Sequence, residues 1–311
     1  MIKHKHLIDI EDYSKEEITE ILDTAKSFKE VNDRAIKKLP TLRGRTIINL
    51  FMEASTRTRT SFEIAGKRLS GDVINFSASS SSTSKGETLA DTAETLDAMN
   101  CDLVVVRSKQ EGAPRLLARH MKAHVVNGGD GKHQHPTQAL LDAFTIRETL
   151  GRIEGLTIGI VGDIAHSRVV GSLVRLLKIM GASPIVIGPP TLMPACPELL
   201  GARVSYTLDD VLPELDIVYM LRIQLERLEV SPLPSLREYA MLYGINTKRM
   251  RSMKEDAIIM HPGPINRGVE LTAEAADSDR AVILDQVNSG VAVRMAVMYL
   301  LLGGEGSGVA S

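Results

Sequence analysis

Between residues 55 and 63 the chain reads Ser55-Thr56-Arg57-Thr58-Arg59-Thr60-Ser61-Phe62-Glu63, dense in hydroxyl donors and guanidinium groups. Upstream, Thr46 to Phe51 is apolar and β-branched, the pattern of a buried strand. Downstream, Phe62, Ala65 and Leu69 recur at helical spacing until Gly71 ends the run. Ser55 to Thr58 therefore fall where a strand hands over to the first turn of a helix. Unpaired N–H groups and a partial positive charge at such a turn hold a phosphate well. Ser55, Thr56 and Thr58 add hydroxyls, and Arg57 adds a planar fork matched to phosphate oxygens. The same residues also read as a Ser N-cap followed by solvated arginines. Spacing alone leaves these two readings open.

Two further groups could do chemistry. Arg107 closes the apolar run from Asp102, at the strand end where open α/β sheets place ligands. Taken alone it is a surface arginine. His135 and Gln138 stand three apart at the start of a helix opened by Pro136, so both can face one ligand. His133 and His135 have the spacing of a zinc pair, but no third ligand is evident nearby, and no metal is expected. His4 and His6 likewise suggest a metal pair; a solvated terminus is the plainer reading.

These residues need a frame that brings strand ends together. Short apolar runs follow at Asp72 to Phe76, Asp102 to Arg107 and Ala123 to Asn127, separated by helical stretches at Leu89 to Met99 and Pro114 to His120. A first helix carries Ile18, Ile21, Leu22 and Ala25 on one stripe, with Ser14 and Glu17 as a capping box. From Gly151 a second alternation begins. Its strands are expected near Leu156 to Asp163 (a strand running into a turn), Pro184 to Ile187, Ala202 to Tyr206, Ile217 to Met220, Ala257 to Met260 and Ala281 to Asp285, with a helix from Val169 to Met180. Pro232 to Tyr243 reads as a mobile loop, and Gln286 to Leu302 as a helix. The expected fold class is α/β, two doubly wound parallel-sheet domains with the active site in the cleft between them. The domains are expected at 1–149 and 150–285.

The chain has 311 residues, enough for two domains, with 43% hydrophobic and 24% charged residues. A net charge of −2 offers nothing to nucleic acid. Cys101 and Cys196 suggest neither disulfide framework nor redox motif. No apolar run is long enough for a membrane span or a signal core, so a cytoplasmic enzyme without cofactor is expected. Gly159-Ile160-Val161-Gly162-Asp163 lacks the order of a dinucleotide fingerprint, which weighs against an oxidoreductase.

Ser-Thr-Arg-Thr-Arg followed by Ser-Phe-Glu resembles the carbamoyl-phosphate signature of the aspartate and ornithine carbamoyltransferases. The resemblance continues through Gln110-Glu111-Gly112-Ala113, His133-Gln134-His135-Pro136-Thr137-Gln138, Asp163 to Arg168, and His261-Pro262-Gly263-Pro264. It implies that Ser55, Thr56, Arg57, Thr58, Arg107, His135, Gln138, Gly263 and Pro264 bind carbamoyl phosphate. Gly263–Pro264 is then expected to be a cis peptide. In Arg222-Ile223-Gln224 the chain is similar to the aspartate enzymes. The ornithine enzymes carry a Ser-Met-Gly loop there and a Cys in the later motif. Arg168, Arg222, Gln224 and Lys85 are accordingly the expected aspartate ligands. The tract from Ser77 to Thr88 has the composition of a disordered linker, yet its Lys-Gly-Glu-Thr ending resembles a family loop that enters the neighbouring subunit's site with a Ser and a Lys. Lys85 fits that motif, and Ser81 is the serine chosen by spacing within Ser79 to Ser82. Ser84, where the family often has Lys, lowers the local positive charge.

The resemblance implies transfer of a carbamoyl group from carbamoyl phosphate to the amine of L-aspartate, giving N-carbamoyl-L-aspartate and phosphate. It implies a homotrimer with shared sites, in which Arg57, His135, Lys85 and Arg107 carry catalysis, and it implies that helix 286–303 packs back onto the first domain. Asn266-Arg267-Gly268-Val269-Glu270 resembles members that associate with dihydroorotase chains; other members pair with a regulatory chain.

Overall fold

The computed structural model describes residues 2–32, 34–77, 88–223 and 235–303. The chain folds as two compact units, Met1–Phe144 with Asn288 onward, and Thr145–Val287.

The first unit is built on four parallel strands, β1 (Thr46–Phe51), β2 (Asp72–Ser77), β3 (Leu103–Ser108) and β4 (His124–Asp130), in the order β2-β1-β3-β4. Thr46 pairs with Asp72 on one side of β1, and Phe51 with Arg107 on the other. β1 and β3 are buried almost throughout, as befits strands covered on both faces. Helices α1 (Lys15–Asn32), α2 (Thr56–Arg68), α3 (Leu89–Ala98), α4 (Ala113–His120) and α5 (Pro136–Leu150) follow the chain, α5 passing into the second unit at Thr145. Ile48, Leu50, Val104, Val106 and Val125 pack with Ala93, Leu96 and Leu117 in one core. The Ser14–Glu17 capping box forms at the start of α1, with both reciprocal hydrogen bonds present.

The second unit repeats the theme with β5 (Thr157–Val161), β6 (Ser183–Ile187), β7 (Arg203–Ser205), β8 (Ile217–Met220) and β9 (Ile258–Met260), all parallel in the order β7-β6-β5-β8-β9. Its helices are α6 (Arg168–Ile179), α7 (Leu236–Tyr243), α8 (Thr247–Ser252) and α9 (Ala273–Ala276); α10 (Ile283–Leu302) begins there and continues in the first unit.

Strand order reverses between β1 and β3 in the first sheet and between β5 and β8 in the second. In open parallel sheets the carboxyl ends on either side of such a reversal flank a crevice that takes ligands.

Three expectations need correction. Residues 281–285 form no strand: Ala281 makes a single bridge to Ile259, and α10 starts at Ile283. The run Ala-Val-Ile-Leu is apolar enough for either element, and its length does not separate them. The supposed loop up to Tyr243 is helical from Leu236, capped by Ser235, whose hydroxyl accepts the Glu238 N–H at 3.0 Å; residues 232–234 lie outside the described residues. The N-terminus is not a solvated tail. Leu7 pairs alongside β4 through Leu7 N–H to Val125 O at 2.9 Å and Asn127 N–H to Leu7 O at 2.8 Å.

Candidate active site

α2 begins at Thr56 with Ser55 in the cap position, but the Ser55 side chain makes no capping hydrogen bond. Of the two readings, the capping one therefore lacks its defining contact, and the first-turn N–H groups are not occupied by that hydroxyl. Across the reversal, Arg107 stands beside Phe51 in register. Its Nε donates to Glu53 Oε1 at 2.7 Å, and its Nη1 reaches Thr58 Oγ1 at 3.3 Å and Gly128 O at 3.2 Å. Both members of the Arg107–Glu53 pair are largely buried, at 12% and 6% side-chain exposure. A guanidinium fixed on three sides has lost its rotamer freedom before any ligand arrives, which lowers the entropic cost of binding.

His135 is the residue before α5 and is 4% exposed. Its carbonyl accepts the N–H groups of Gln138 and Ala139 at 3.0 and 3.3 Å, and Gln138 Nε2 donates to Asp142 Oδ1 at 3.1 Å. Asp130, buried at the end of β4, sets this turn. Its Oδ1 accepts from Gln134 N–H (3.1 Å) and Asn127 Nδ2 (2.9 Å), and its Oδ2 from Gly112 N–H (2.8 Å). His133 Nδ1 lies 3.1 Å from the same Oδ2. Among the described residues no group of three metal-ligating side chains exists.

In the second unit the corresponding turn follows β5. Gly162 has φ 132°, and a Cβ there would sit 3.0 Å from Leu221 Cβ, so the close approach of the β5 and β8 ends requires glycine. Asp163 Oδ1 accepts from His166 N–H at 3.1 Å, shaping the turn into Arg168, the first residue of α6. Arg168 is 6% exposed. Arg222 stands two residues past the end of β8, and the intervening Leu221 N–H still pairs with Val161 O at 2.8 Å. Glu270 Oε1 accepts the Ile223 N–H at 2.9 Å, while Asn266 Nδ2 donates to Ile223 O at 3.2 Å. The segment bearing Arg222 is thereby clamped from the loop after β9. Burial pushes the Glu270 carboxyl above its ordinary range, against the hydrogen bonds from Ile223 and Asn266. Burial, then the Glu270 and Asp163 charges, holds the Tyr239 phenol well above its usual value. In that loop Gly263–Pro264 is cis, as expected, and Gly263 N–H donates to His261 Nδ1 at 2.8 Å.

Of the expected site residues, Ser55, Thr56, Arg57, Thr58, Arg107, His135 and Gln138 thus belong to the first unit, and Arg168, Arg222, Gly263 and Pro264 to the second. Ser81, Lys85 and Gln224 lie outside the described residues. Sequence reasoning gave Glu53 no part, and took Asn266 and Glu270 only as ends of the segment resembling dihydroorotase-associating members, not as supports of Arg222. A carboxylate two residues before a cation-rich turn was the available signal for Glu53.

Two family models match the chain: the aspartate/ornithine carbamoyltransferase carbamoyl-P binding domain over residues 5–148, and the Asp/Orn binding domain of the same family over residues 154–301. The chain belongs to the aspartate/ornithine carbamoyltransferase family. It is 58% identical over 302 residues to a protein of Syntrophotalea carbinolica named aspartate carbamoyltransferase catalytic subunit, covering 97% of this chain and 96% of that one. A protein of the same name from Thermobifida fusca is 56% identical over 300 residues, covering 96% of each. Among solved structures, the aspartate transcarbamoylase of Trypanosoma cruzi in complex with N-(phosphonacetyl)-L-aspartic acid superposes with a TM-score of 0.86 at 36% identity, covering 94% of both chains. The catalytic subunit of M. jannaschii aspartate transcarbamoylase gives 0.84 at 37% identity, covering 97% of this family member and 99% of that chain.

Proposed function

We propose that the chain transfers the carbamoyl group of carbamoyl phosphate to the amine of L-aspartate, an early step of pyrimidine synthesis. The first unit takes carbamoyl phosphate and the second takes the amino acid. The observation that carries the choice of acceptor is Arg222, a guanidinium whose chain segment is held through the Ile223 backbone by a buried clamp at the strand-order reversal of the second sheet. An acceptor with an anionic side chain calls for such a fork, and an ornithine ammonium would be repelled by it. The names of the relatives at 54–58% identity support the same choice.

In this reading the phosphate rests on the first turn of α2 with the Ser55, Thr56 and Thr58 hydroxyls, Arg57 and Arg107. An imidazole N–H of His135, with Gln138 beside it, faces the carbonyl oxygen and stabilises the negative charge that develops there. Arg168 and Arg222 with Gln224 hold the aspartate carboxylates. Its amine nitrogen attacks the carbamoyl carbon, the C–N bond forms, the C–O bond to phosphate breaks, and the departing phosphate carries off the amine proton. No covalent enzyme intermediate or cofactor is involved. Preorganisation of two substrates supplies much of the rate.

The chain works in the cytoplasm as a homotrimer, each site borrowing Ser81 and Lys85 from the adjacent subunit. No described helix is long and apolar enough to cross a membrane. Mixed and reassembled, inactive Lys85→Ala and inactive His135→Ala trimers should regain activity, and verified hybrids as inactive as their parents would refute site sharing. The reading as a whole is tested by incubating the purified chain with carbamoyl phosphate and either L-aspartate or L-ornithine, with colorimetric detection of the ureido product. Carbamoyl-aspartate alone is expected. Citrulline instead, or no product from either acceptor, would overturn it.

A further inference from the structure

Helix α10 is apolar along most of its length, yet Arg294 in its middle is buried, at 4% exposure. Its Nη1 donates to Ser61 Oγ at 2.7 Å, and its guanidinium carbon lies 5.0 Å from the centre of the Phe62 ring. Ser61 and Phe62 sit on α2, one turn beyond Arg57 and Thr58. Gly290, one turn back along α10, keeps the space: a Cβ there would come within 2.7 Å of Arg294 Nη1 and 3.3 Å of Leu141 Cδ2. Among the described residues no hydrogen-bond partner meets the Arg294 Nε, and no carboxylate forms an ion pair with the group. Burial above all, and then the Arg107 charge, works against its protonated form, while Asp142 on α5 favours it.

A buried cation without a carboxylate partner is costly, and a second cation in its field adds to the cost. The field that repels Arg107 attracts an anion arriving at Arg107, so both costs fall when a phosphate binds there. We infer that Arg294 is a positioning residue of the phosphate site: its charge, held behind α2 by Ser61 and Phe62, acts on bound phosphate through the field at Arg107 without touching it. The inference rests on Arg107 binding phosphate.

The test is calorimetric titration of the intact enzyme with inorganic phosphate, in the parent, Arg294→Met and Arg294→Lys. The Met variant keeps the length and apolar packing and removes the charge; the Lys variant restores the charge without the fork. Phosphate should bind roughly tenfold more weakly to Arg294→Met, a coupling of ordinary size between two sites, and Arg294→Lys should recover most of the loss. Equal affinity in parent and Arg294→Met would overturn the inference, and so would an equal loss in both variants, which would mark a brace and not a charge. A parent that bound no phosphate would bring down the reading of the site itself, and this inference with it.

Discussion

At the N-terminal edge of the first sheet, Asp102 accepts the Thr46 N–H at 2.7 Å; at the same edge of the second, Asp216 accepts the Thr157 N–H at 2.8 Å. Each aspartate also meets a cation, Arg45 in one unit and Lys254 in the other. Burial alone would raise the Asp216 carboxyl, but Lys254 and the Thr157 N–H hold it below the usual range. In both sheets the device ties the two strands on either side of the order reversal. The opposite edges diverge. The first offers an uncapped helix turn, hydroxyls and an arginine locked to Glu53; the second offers Arg168 and Arg222 with Glu270, Asp163 and Tyr239 behind them. Shared topology fixes where a ligand goes. The side chains at that edge decide which ligand it is.

The largest way to break this division is Arg107→Ala. In the proposed reading it removes a forked phosphate ligand, two charge-assisted hydrogen bonds together worth about 3–5 kcal/mol, so kcat/KM for carbamoyl phosphate should fall roughly a hundredfold to several thousandfold. It also takes one ion-pair partner from the buried Glu53. Glu53→Gln added to that variant should return melting temperature but not rate. A rate that recovered together with stability would mean Arg107 serves only to hold Glu53.

At the other edge Arg222→Ala should raise KM for aspartate roughly tenfold to a hundredfold, matching the loss of about 1.5–3 kcal/mol for a charge-assisted pair. KM for carbamoyl phosphate should stay put; normal aspartate kinetics would refute the assignment. Behind it, Glu270→Gln keeps the shape of the side chain while weakening the acceptors for Ile223 and Asn266. About 1 kcal/mol is at stake, several-fold in aspartate KM. If aspartate use were unchanged while stability fell, Glu270 would be a fold residue alone.

The smallest effect concerns the chain entry. His6 Nδ1 accepts the Val125 N–H at 3.1 Å, and burial, with Lys5 and His124, lowers its pKa from 6.5 to about 4. The unfolded chain takes up a proton near 6.5 that the folded chain refuses until about 4, so this ring costs stability as pH falls through that window. Melting temperature should decline over it, and His6→Phe should flatten the decline. A pH slope the same in both proteins would clear His6.

How much of this was legible in the sequence follows from how local each signal is. β-Branched runs at Thr46 to Phe51 and Ile217 to Met220 coincide with β1 and β8 residue for residue, because strands buried on both faces need continuous apolar residues. Residues 281–285 misled because a strand and the first turn of a buried helix share that composition. His6 misled for a different reason: its partner is Val125, far along the chain, and no local pattern encodes that pairing. The same holds inside the site. Arg107 and Arg222 end apolar runs and could be found, whereas Glu53, Glu270 and Arg294 matter through partners brought near only by the folded sheet and helices.

The division of labour between the two edges is tested most directly by inorganic phosphate binding to Arg107→Ala and Arg222→Ala, measured side by side by calorimetry. Arg107→Ala should lose phosphate binding, and Arg222→Ala should bind it as tightly as the parent. Equal loss in both variants, or loss in Arg222→Ala alone, would contradict the assignment of phosphate to the first sheet and the amino acid to the second.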